Sequence, residues 1–474
     1  FKQKTAYEIG VRLVGSEMCI RDRISTVGVG EATIPSLQTF HSLLGIDERA
    51  FMAATQATFK LGIRFEGWRE EGRDYFHGFG QTGKDHWTAG FQHFWLKGRQ
   101  RQLAADYGAY ALEAQAAQAG RFARLPDDGL HYAYHLDATL YARFLRSFSE
   151  ALGVHRIEGK IVSVQSDAPS REIRALQLDS GARIEGDLFI DCSGFRGLLI
   201  EQTLHTGYDD WSHWLPCDSA LAVPCESTSP LLPYTRSTAH AAGWQWRIPL
   251  QNRTGNGHVF SSRFMGQDEA TSILLRHLDG KALAEPRLIR FVTGKRKKFW
   301  NKNVVAIGLS SGFIEPLEST SIHLIQQGIV RLIELFPNLG FHQADIDEFN
   351  RQSATEFEQI RDFIVLHYHA TKRDDSAFWR YCRDMEVPDT LKHKTELFSS
   401  SGRFFHKNDE LFSDASWAQV MLGQGIQPMG YHPLVENSAD EPVYRMLANV
   451  KAVMHATVDR MPTHAQYIAE HCKA

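Results

Sequence analysis

The 474-residue chain has few cysteines and no long hydrophobic run. Its six cysteines are scattered without paired spacing, so neither a disulfide framework nor a zinc site is expected. We expect the thiols to stay reduced and the protein to be cytoplasmic. No apolar stretch reaches the roughly 18 residues of a transmembrane helix. The start of the chain also lacks the charged and apolar regions of a secretory signal peptide, so we expect no membrane partner.

Clustered positive charge is absent as well. The 52 lysines and arginines are balanced by 56 aspartates and glutamates, and no basic block stands out. Nucleic-acid binders concentrate positive charge on one surface, so nucleic acid is not an expected partner. Among the 22 histidines, His367 and His369 are two residues apart. On a helix such a pair points to different faces, so we expect ordinary packing there and no metal site.

Residues 1–23 contain no clear helical or strand period. Lys2–Ile9 (KQKTAYEI) and Leu13–Asp22 (LVGSEMCIRD) resemble translated DNA-sequencing adapters. We therefore expect residues 1–23 to be non-native and the protein to begin near Ile24, with an irregular native tail as the alternative. The strand, GxGxxG turn and helix that hold a dinucleotide pyrophosphate are also missing, and we expect them to be encoded upstream of Ile24.

Two short apolar runs indicate buried strands that end in glycine-containing loops. Asp187–Asp191 (DLFID) precedes Cys-Ser-Gly, and Val304–Ile307 (VVAI) precedes Gly308. Such strands are typical of a doubly wound α/β sheet that holds a nucleotide-type cofactor at its strand ends. Many α/β folds share this pattern. Further predicted strands are Lys160–Val164, Ile173–Leu178 and Ala182–Ile184.

Apolar residues at helical spacing predict several helices. A stripe that repeats every four residues predicts a helix over Asp137–Leu152. Another helix is expected to start near Ser319 or Thr320, and a long one to cover Asp345–Tyr368. From about Arg373 the chain is rich in aromatic residues and short helical patterns, which indicates a mainly helical region.

Four strings along the chain are distinctive. They are GVGEATIP (Gly28–Pro35), DCSGFRGLLI (Asp191–Ile200), WQWRIP (Trp244–Pro249) and IEPLESTSI (Ile314–Ile322). In this order and at this spacing they resemble the flavin-dependent tryptophan halogenases, whose fingerprint is Trp-x-Trp-x-Ile-Pro. The resemblance extends, less densely, from Ile24 to about Trp379.

This resemblance implies a fold and a reaction. The implied fold is α/β, with a flavoprotein monooxygenase-like, FAD-binding doubly wound sheet and an interleaved substrate-facing sheet over residues 24–340. A mainly helical substrate module follows over residues 341–474. In the implied reaction, reduced FAD from a separate flavin reductase, oxygen and chloride or bromide give hypohalous acid. That acid then halogenates an electron-rich aromatic molecule, such as an indole or a tryptophan-like compound.

Lys60 stands in a strand pattern, ATFKLGIRFEGW. Apolar residues alternate along it, which places Lys60 on the opposite face, at the edge of a core. An isolated lysine is usually a solvated surface charge. The resemblance instead implies that Lys60 is catalytic and holds hypohalous acid, as a hydrogen-bonded molecule or as a chloramine. Partial burial would lower the pKa of the amine and favour this role.

Glu318, in PLESTS, has two compatible interpretations. A carboxylate at a helix start interacts favourably with the helix dipole. The resemblance implies that Glu318 also faces the lysine and polarises the halogen donor or takes the proton from the ring intermediate. It further implies that the backbone N–H groups of Thr320 and Ser321 bind the halide, because a helix N-terminus attracts anions. Relatives usually have glycine where Ser321 stands, which leaves the preferred halide open.

Trp244 and Trp246 are core aromatics by default. By resemblance they separate the flavin from the substrate and keep the activated flavin from oxygenating the substrate directly. The resemblance also implies a set of residues that contact the flavin. One of them, Phe195, replaces a residue that is often methionine in relatives. The flavin set is Ile24, Val27, Glu31, Ala32, Phe195, Leu309 and Ile322.

His77 and Phe79, in FHGFG, match a pair that lines the indole pocket of tryptophan-specific relatives, with a structural histidine as the alternative. The C-terminal aromatic and acidic cluster that holds the amino-acid backbone in those relatives is not found. Bare indole, a peptide, a phenol and a carrier-bound aromatic therefore stay open, as does a homodimer. Two rival functions are a flavin-dependent hydroxylating monooxygenase, which needs neither Lys60 nor the tryptophan pair, and an inactive flavoprotein fragment.

Overall fold

The computed structural model describes residues 18–20, 29–86, 89–126, 129–338, 340–405 and 410–472. The helix predicted over Asp137–Leu152 is confirmed as Ala138–Ala151. It begins where the carboxylate of Asp137 accepts the backbone N–H groups of Thr139 and Leu140, an arrangement that satisfies two donors that the helix itself cannot. 

A seven-stranded sheet is the largest sheet in the described part of the chain. Neighbouring strands are antiparallel, except that Thr235–His240 and Gly62–Glu66 run parallel. The sheet carries Trp244 and Trp246 on one strand and His77 on an edge strand. In spatial order its strands are Arg287–Arg290, Ser219–Cys225, Thr254–Phe260, Gly243–Pro249, Thr235–His240, Gly62–Glu66 and Asp74–Gly78.

A small antiparallel sheet joins the first recognised motif to Lys60. Its central strand, Ala133–Leu136, lies between Glu31–Ala32 and Thr58–Lys60. Leu61 then donates its N–H to the carbonyl of Pro233 at 2.8 Å, and the next strand belongs to the seven-stranded sheet. Lys60 is therefore the last strand residue before the chain passes from one sheet to the other.

The two predicted buried strands are confirmed and are parallel neighbours. Phe189–Asp191 pairs in parallel with Val304–Ala306. The Asp191 carboxylate accepts the backbone N–H groups of Ser193, Leu199 and Ile200. These bonds fold the chain into tight helical turns directly after the strand. An antiparallel strand, Trp300–Asn301, completes this sheet.

The remaining sheets are small. Met18–Ile20 forms a strand within residues 1–23, where the sequence shows no strand period, and pairs in parallel with Arg156–Glu158. The three strands predicted between residues 160 and 184 are confirmed, two of them with bounds shifted by one or two residues. Its strands are Ile161–Ser166, Ile173–Leu178 and Arg183–Glu185, and a further sheet contains Tyr208–Asp210, Gly294–Arg296 and Gly312–Phe313.

Helices make up every regular element described after residue 340. The helix expected near Ser319 or Thr320 begins at Ser321, and the long predicted helix spans Gln343–His369. The division of the chain at residues 23 and 340 stays a prediction. The other α-helices are Ser36–Leu44, Glu48–Thr55, Phe91–Gln100, Leu112–Gln118, Gln267–Arg276, Ala377–Asp384, Asp389–Ser401, Asp414–Gly423, Pro433–Glu436, Asp440–Asp459 and His464–His471.

The late helices pack directly on the strands around Lys60. The side chain of Gln419 accepts the N–H of Gly78 at 2.7 Å. The His464 ring accepts the N–H of Phe59 at 3.1 Å and contacts the carbonyl of Leu231. Since a buried backbone N–H needs a partner, these two side chains satisfy strand donors that would otherwise be orphaned. Within the described ranges, no helix combines the length and the apolar character needed to cross a bilayer.

Candidate active site

Lys60 lies deeper than its strand pattern predicts, because its side chain is 0% exposed rather than at the edge of the core. Its Nζ donates to the Thr33 carbonyl at 3.0 Å and to the Ser319 hydroxyl at 2.8 Å. Nζ also lies 5.0 Å from the centre of the Phe79 ring. Burial lowers the pKa of the amine to about 7, although the nearby charge of Glu318 opposes this. Much of the amine is therefore neutral near neutral pH.

Glu318 is equally buried, at 1% exposure, and is held between two histidines. The His77 Nδ1 lies 3.0 and 2.9 Å from its two oxygens, and the His367 Nε2 lies 2.9 Å from Oε1. Burial alone would raise the pKa of this carboxyl. The charge of His77 and the polar contacts of both rings outweigh burial and lower the pKa to about 2. Glu318 is thus an anion inside the protein.

His367 connects Glu318 to a tyrosine on the neighbouring sheet. Its Nδ1 lies 2.6 Å from the Tyr75 hydroxyl, and Gln424 donates to the His367 carbonyl at 2.7 Å. Burial lowers the pKa of His367, which favours the neutral ring. We assign Nδ1 as acceptor from Tyr75, with the proton on Nε2 facing Glu318. The Nε2 to Oε1 contact is short but not aligned well enough for a full hydrogen bond.

Neither His367 nor Tyr75 was identified from the sequence as a neighbour of Glu318. The expected divergence of His367 and His369 does hold, because His369 contacts the Cys382 carbonyl instead. The available signal was a histidine on the buried face of a long helix. Such a signal does not specify which carboxylate the ring meets. Within the described residues, no group of three or more metal-ligating side chains is arranged around an ion site.

The two tryptophans lie close to the Glu318 loop. Both are on the strand Gly243–Pro249, and their ring centres are 6.0 Å apart. The buried Trp244 ring donates from Nε1 to the Glu315 carboxylate at 3.1 Å. Glu315 directly precedes the short helical turn Pro316–Glu318. Trp244 is therefore fixed to the segment that also presents Glu318.

The helix that follows Glu318 has an uncapped start. It begins at Ser321, and Thr320 makes no side-chain cap. Thr320 is fully buried, and its Oγ1 has no partner in the described part of the chain. Ser319 has a φ of 61°, which turns the chain and directs its hydroxyl to Lys60. The first N–H groups of a helix lack internal acceptors, so this buried start suits a small anion.

The expected flavin residues fall on several loops, and Ile24 and Val27 lie outside the described residues. Glu31 and Ala32 form the edge strand beside the strand that pairs with Lys60. Phe195, which is 37% exposed, follows the strand end at Asp191. The other two, Leu309 and Ile322, are partly buried and lie in the Gly308–Ser310 turn and the first turn of the Ser321 helix.

An apolar surface at the end of a parallel strand pair fits a flat cofactor ring. Phe195 contributes an exposed ring there, packed edge-on against Phe313 at 5.4 Å between centres. The start of the helix Ser321–Glu334 supplies backbone N–H donors. Ligands of open α/β sheets bind at this end of the strands. The described residues therefore fit the isoalloxazine part of a flavin.

His77 and Phe79 lie beside Glu318 and Lys60, and their role in lining a substrate pocket stays a prediction. His77 packs against Phe363 at 5.5 Å and Phe412 at 6.2 Å between ring centres. Phe363 and Phe412 stack on each other at 3.8 Å. These two phenylalanines were missed, because nothing local distinguishes them from core residues. Together the rings form an aromatic wall beside the lysine and the carboxylate.

A cavity of about 550 Å³ opens on the chain segment that follows Phe79. Gln81 and Thr82 line it, together with Arg403, Phe404 and others. Gln81 is two residues from Phe79, so their Cα atoms are at most about 7 Å apart. The Lys60 region and the cavity therefore share one segment of chain.

Comparison with known proteins gives the same assignment as the four strings. The tryptophan halogenase family profile matches residues 4–440. Tryptophan 7-halogenase RebH from Lentzea aerocolonigenes is 33% identical, over 94% of this chain and 92% of RebH. Tryptophan 6-halogenase ThaL from Streptomyces albogriseolus is 32% identical, over 93% of this chain and 90% of its own length.

Solved structures agree in fold. Xcc4156, a flavin-dependent halogenase from Xanthomonas campestris, superposes with a TM-score of 0.97 at 57% identity, covering 99% of this chain and 94% of its own. BrvH, a flavin-dependent halogenase from Brevundimonas sp. BAL3, gives 0.91 at 47% identity, covering 94% and 92%. These matches confirm the predicted fold class and the resemblance. The chain therefore belongs to the tryptophan halogenase family and is a flavin-dependent halogenase.

Proposed function

We propose that the chain uses reduced FAD, oxygen and chloride or bromide to halogenate an aromatic ring held between Lys60 and Glu318. One observation carries this proposal. His77 and Phe79, two residues apart at the end of one strand, contact both groups. The Phe79 ring faces the Lys60 amine, and His77 contacts the Glu318 carboxylate. A ring lying against Phe79 and His77 would have the amine and the carboxylate within reach.

Bound reduced FAD would supply two electrons that activate oxygen, and the activated oxygen would oxidise the halide to hypohalous acid. Phe195, Leu309 and Ile322 would hold the flavin ring, with Glu31 and Ala32 beside them. The helix start at Thr320 and Ser321 would hold the halide. The paired indoles of Trp244 and Trp246 would form the wall between the flavin and the aromatic substrate.

Lys60 would hold the hypohalous acid beside the substrate. Two acceptors, the Thr33 carbonyl and the Ser319 hydroxyl, are within hydrogen-bonding distance of its Nζ. A neutral amine has two hydrogens, and its lone pair is then free to bind the acid. Both partners are buried, so water is excluded from the reactive halogen. The bound form would be either a hydrogen-bonded acid or a chloramine.

Glu318 would remove the proton from the ring. When the halogen bonds to a ring carbon, the oxygen–halogen bond breaks, and the departing hydroxide forms water with the proton that the ring releases through Glu318. The ring carbon then loses its hydrogen as a proton, for which the anionic Glu318 is a ready acceptor. His77 and His367 would keep the carboxylate in place during this transfer. The overall change is an aromatic C–H and hypohalous acid to an aromatic C–halogen and water.

The substrate class we favour is an indole that carries a polar substituent. The Nε2 of His77 is buried and has no partner in the described ranges. A buried polar atom needs a partner, so we infer that a polar group of the substrate, such as the indole nitrogen, lies against it. The adjoining cavity contains Arg403 as well as Asp85 and Asp414. Charges of both signs suit an amino-acid or peptide backbone better than a plain hydrocarbon.

A separate flavin reductase would supply the reduced FAD. Five cysteines in the described residues are free thiols. Reduced cysteines are usual in the cytoplasm, where we place both proteins.

The test compares Lys60→Ala with the unchanged chain. Purified protein receives a flavin reductase, chloride or bromide, and separately indole, tryptophan and a tryptophan-containing peptide. We expect a product heavier by one halogen, and none from Lys60→Ala, while flavin oxidation continues in both. The exposed Lys451 provides the matched control as Lys451→Ala. A halide-independent gain of one oxygen would favour the hydroxylase instead, and loss of flavin oxidation in Lys60→Ala would make Lys60 structural.

A further inference from the structure

A second carboxylate, Glu315, is buried three residues before Glu318 and is 0% exposed. Its Oε2 accepts two hydrogen bonds, from the Trp244 Nε1 at 3.1 Å and from the Tyr368 hydroxyl at 2.5 Å. Its Oε1 is buried without a partner in the described part of the chain. Burying a carboxyl with one unpaired oxygen lowers the stability of the fold, so we expect Glu315 to have a role besides packing.

Tyr368 ties this carboxyl to the long helix Gln343–His369. Its ring packs edge-on against Trp68 at 5.2 Å between centres. The Cys217 thiol lies 3.7 Å from its hydroxyl. Trp68 is itself held, because its Nε1 donates to the Ser237 carbonyl at 3.1 Å. Trp244 also packs against Trp68, and its one side-chain donor, Nε1, is bonded to Glu315.

We propose that Glu315 is a positioning residue for Trp244, whose indole it holds closed in the wall between the flavin and Lys60. The inference rests on the proposed function for its effect on turnover. In this view the hydrogen bond prevents the indole from rotating out of the wall. Without it, hypohalous acid would escape before it reaches Lys60.

The charge state of Glu315 is consistent with this role. Burial raises the pKa of its carboxyl to about 7, although the bonds from Tyr368 and Trp244 oppose the rise. Near neutral pH the carboxyl is therefore partly protonated, and its Oε2 accepts the indole N–H in either form.

The experiment removes the acceptor and then restores it. Glu315→Leu has no acceptor for the Trp244 N–H, whereas Glu315→Gln keeps an oxygen of the same reach. Glu71→Leu, on an exposed loop, is the matched control. Tyr368→Phe tests the second bond, with the exposed Tyr444→Phe as its control. Three quantities are measured: FADH2 oxidation, halogenated product per FADH2 oxidised, and hypohalous acid trapped by monochlorodimedone.

In Glu315→Leu we expect product per FADH2 to fall at least fivefold and trapped acid to rise, with flavin oxidation within twofold of the unchanged chain. Glu315→Gln should restore the ratio, and Tyr368→Phe should lower it less. If the ratio is unchanged in Glu315→Leu, or if flavin oxidation falls with it, the inference is wrong. Should Glu315→Leu fail to fold, Tyr368→Phe decides: an unchanged ratio there overturns the inference.

A measurement without turnover separates this inference from the proposed function. The near-ultraviolet circular dichroism of the flavin-free protein, taken as a difference from Trp244→Phe, reports how rigidly the Trp244 indole is held. We expect this signal to shrink in Glu315→Leu and to return in Glu315→Gln. Absence of halogenated product from the unchanged chain would refute the proposed function alone, whereas an undiminished Trp244 signal in Glu315→Leu would refute the positioning role.

Discussion

Replacing Lys60 with methionine should stop halogenation and yet stabilise the fold. The side chain is wholly buried, and the pKa of its amine is about 7 against 10.5 for an ordinary lysine. That difference corresponds to about 4 kcal/mol of lost stability near neutral pH. Methionine has a similar length but carries no charge, and it forfeits two hydrogen bonds worth about 1 kcal/mol each. We therefore expect a net gain of about 2 kcal/mol near neutral pH from the same terms.

The pH dependence of this gain tests the reasoning more sharply than its size. The unfolded chain keeps the lysine proton up to about pH 10.5, and the folded chain only up to about pH 7. Stability of the native protein should therefore rise with pH across this window, while the methionine variant has no such contribution. The advantage of Lys60→Met should shrink by about 3 kcal/mol between about pH 7 and about pH 9.5.

The assay is urea unfolding of both proteins at the two pH values. The free energies are compared at equal m-values, with the exposed Lys451→Met as the control for a lost surface charge. A difference between Lys60→Met and the unchanged chain that is constant with pH would refute the low pKa. A variant that is less stable at both pH values would show that the two hydrogen bonds outweigh the cost of burial.

Three further predictions concern the residues around this lysine. Tyr75→Phe removes the partner of the His367 Nδ1, and losing a hydrogen bond worth about 1 to 2 kcal/mol should give about tenfold less product per unit time with flavin oxidation unchanged. An unchanged rate of product formation would show that Tyr75 does not act in the site. His464→Leu leaves the buried N–H of Phe59 without an acceptor and should lower the free energy of urea unfolding by about 1 to 3 kcal/mol. The exposed His455→Leu should lower it little, and equal losses would contradict the role of the bond. Ser321→Gly deletes a side chain at the helix start, and we expect it to raise the ratio of brominated to chlorinated product in a competition assay. An identical ratio would show that the Ser321 side chain does not limit the size of the bound halide.

The sequence predicts the local elements because their causes are local. The apolar stripe before Gly153 and the two strands at Asp191 and Ala306 need only their own residues to be recognised. Lys60 was identified by its strand pattern and by the family strings. Its full burial was not predicted, because it depends on Thr33 and Ser319, which approach from different parts of the chain.

The contacts that the sequence does not predict join residues far apart along the chain. Glu318 meets His77 from 241 positions away, and Gln419 reaches Gly78 from 341 positions away. Neither contact leaves a periodic signal, because a single polar residue on a buried face looks the same whatever it meets. The set of predicted flavin contacts can be placed only in part, since Ile24 and Val27 lie outside the described residues and their roles stay predictions.

One loop explains why two carboxylates so close in sequence behave differently. Glu315 and Glu318 are both fully buried, yet burial leaves the pKa of the first at about 7 while two histidines lower that of the second to about 2. The turn at Pro316–Glu318 and the positive φ of Ser319 direct the side chains to different walls. Environments that separate two pKa values in this way let one site hold a partly protonated carboxyl and an anion at the same pH. The same loop bonds Trp244 through Glu315, places Glu318 against His77, and accepts the Lys60 amine through Ser319.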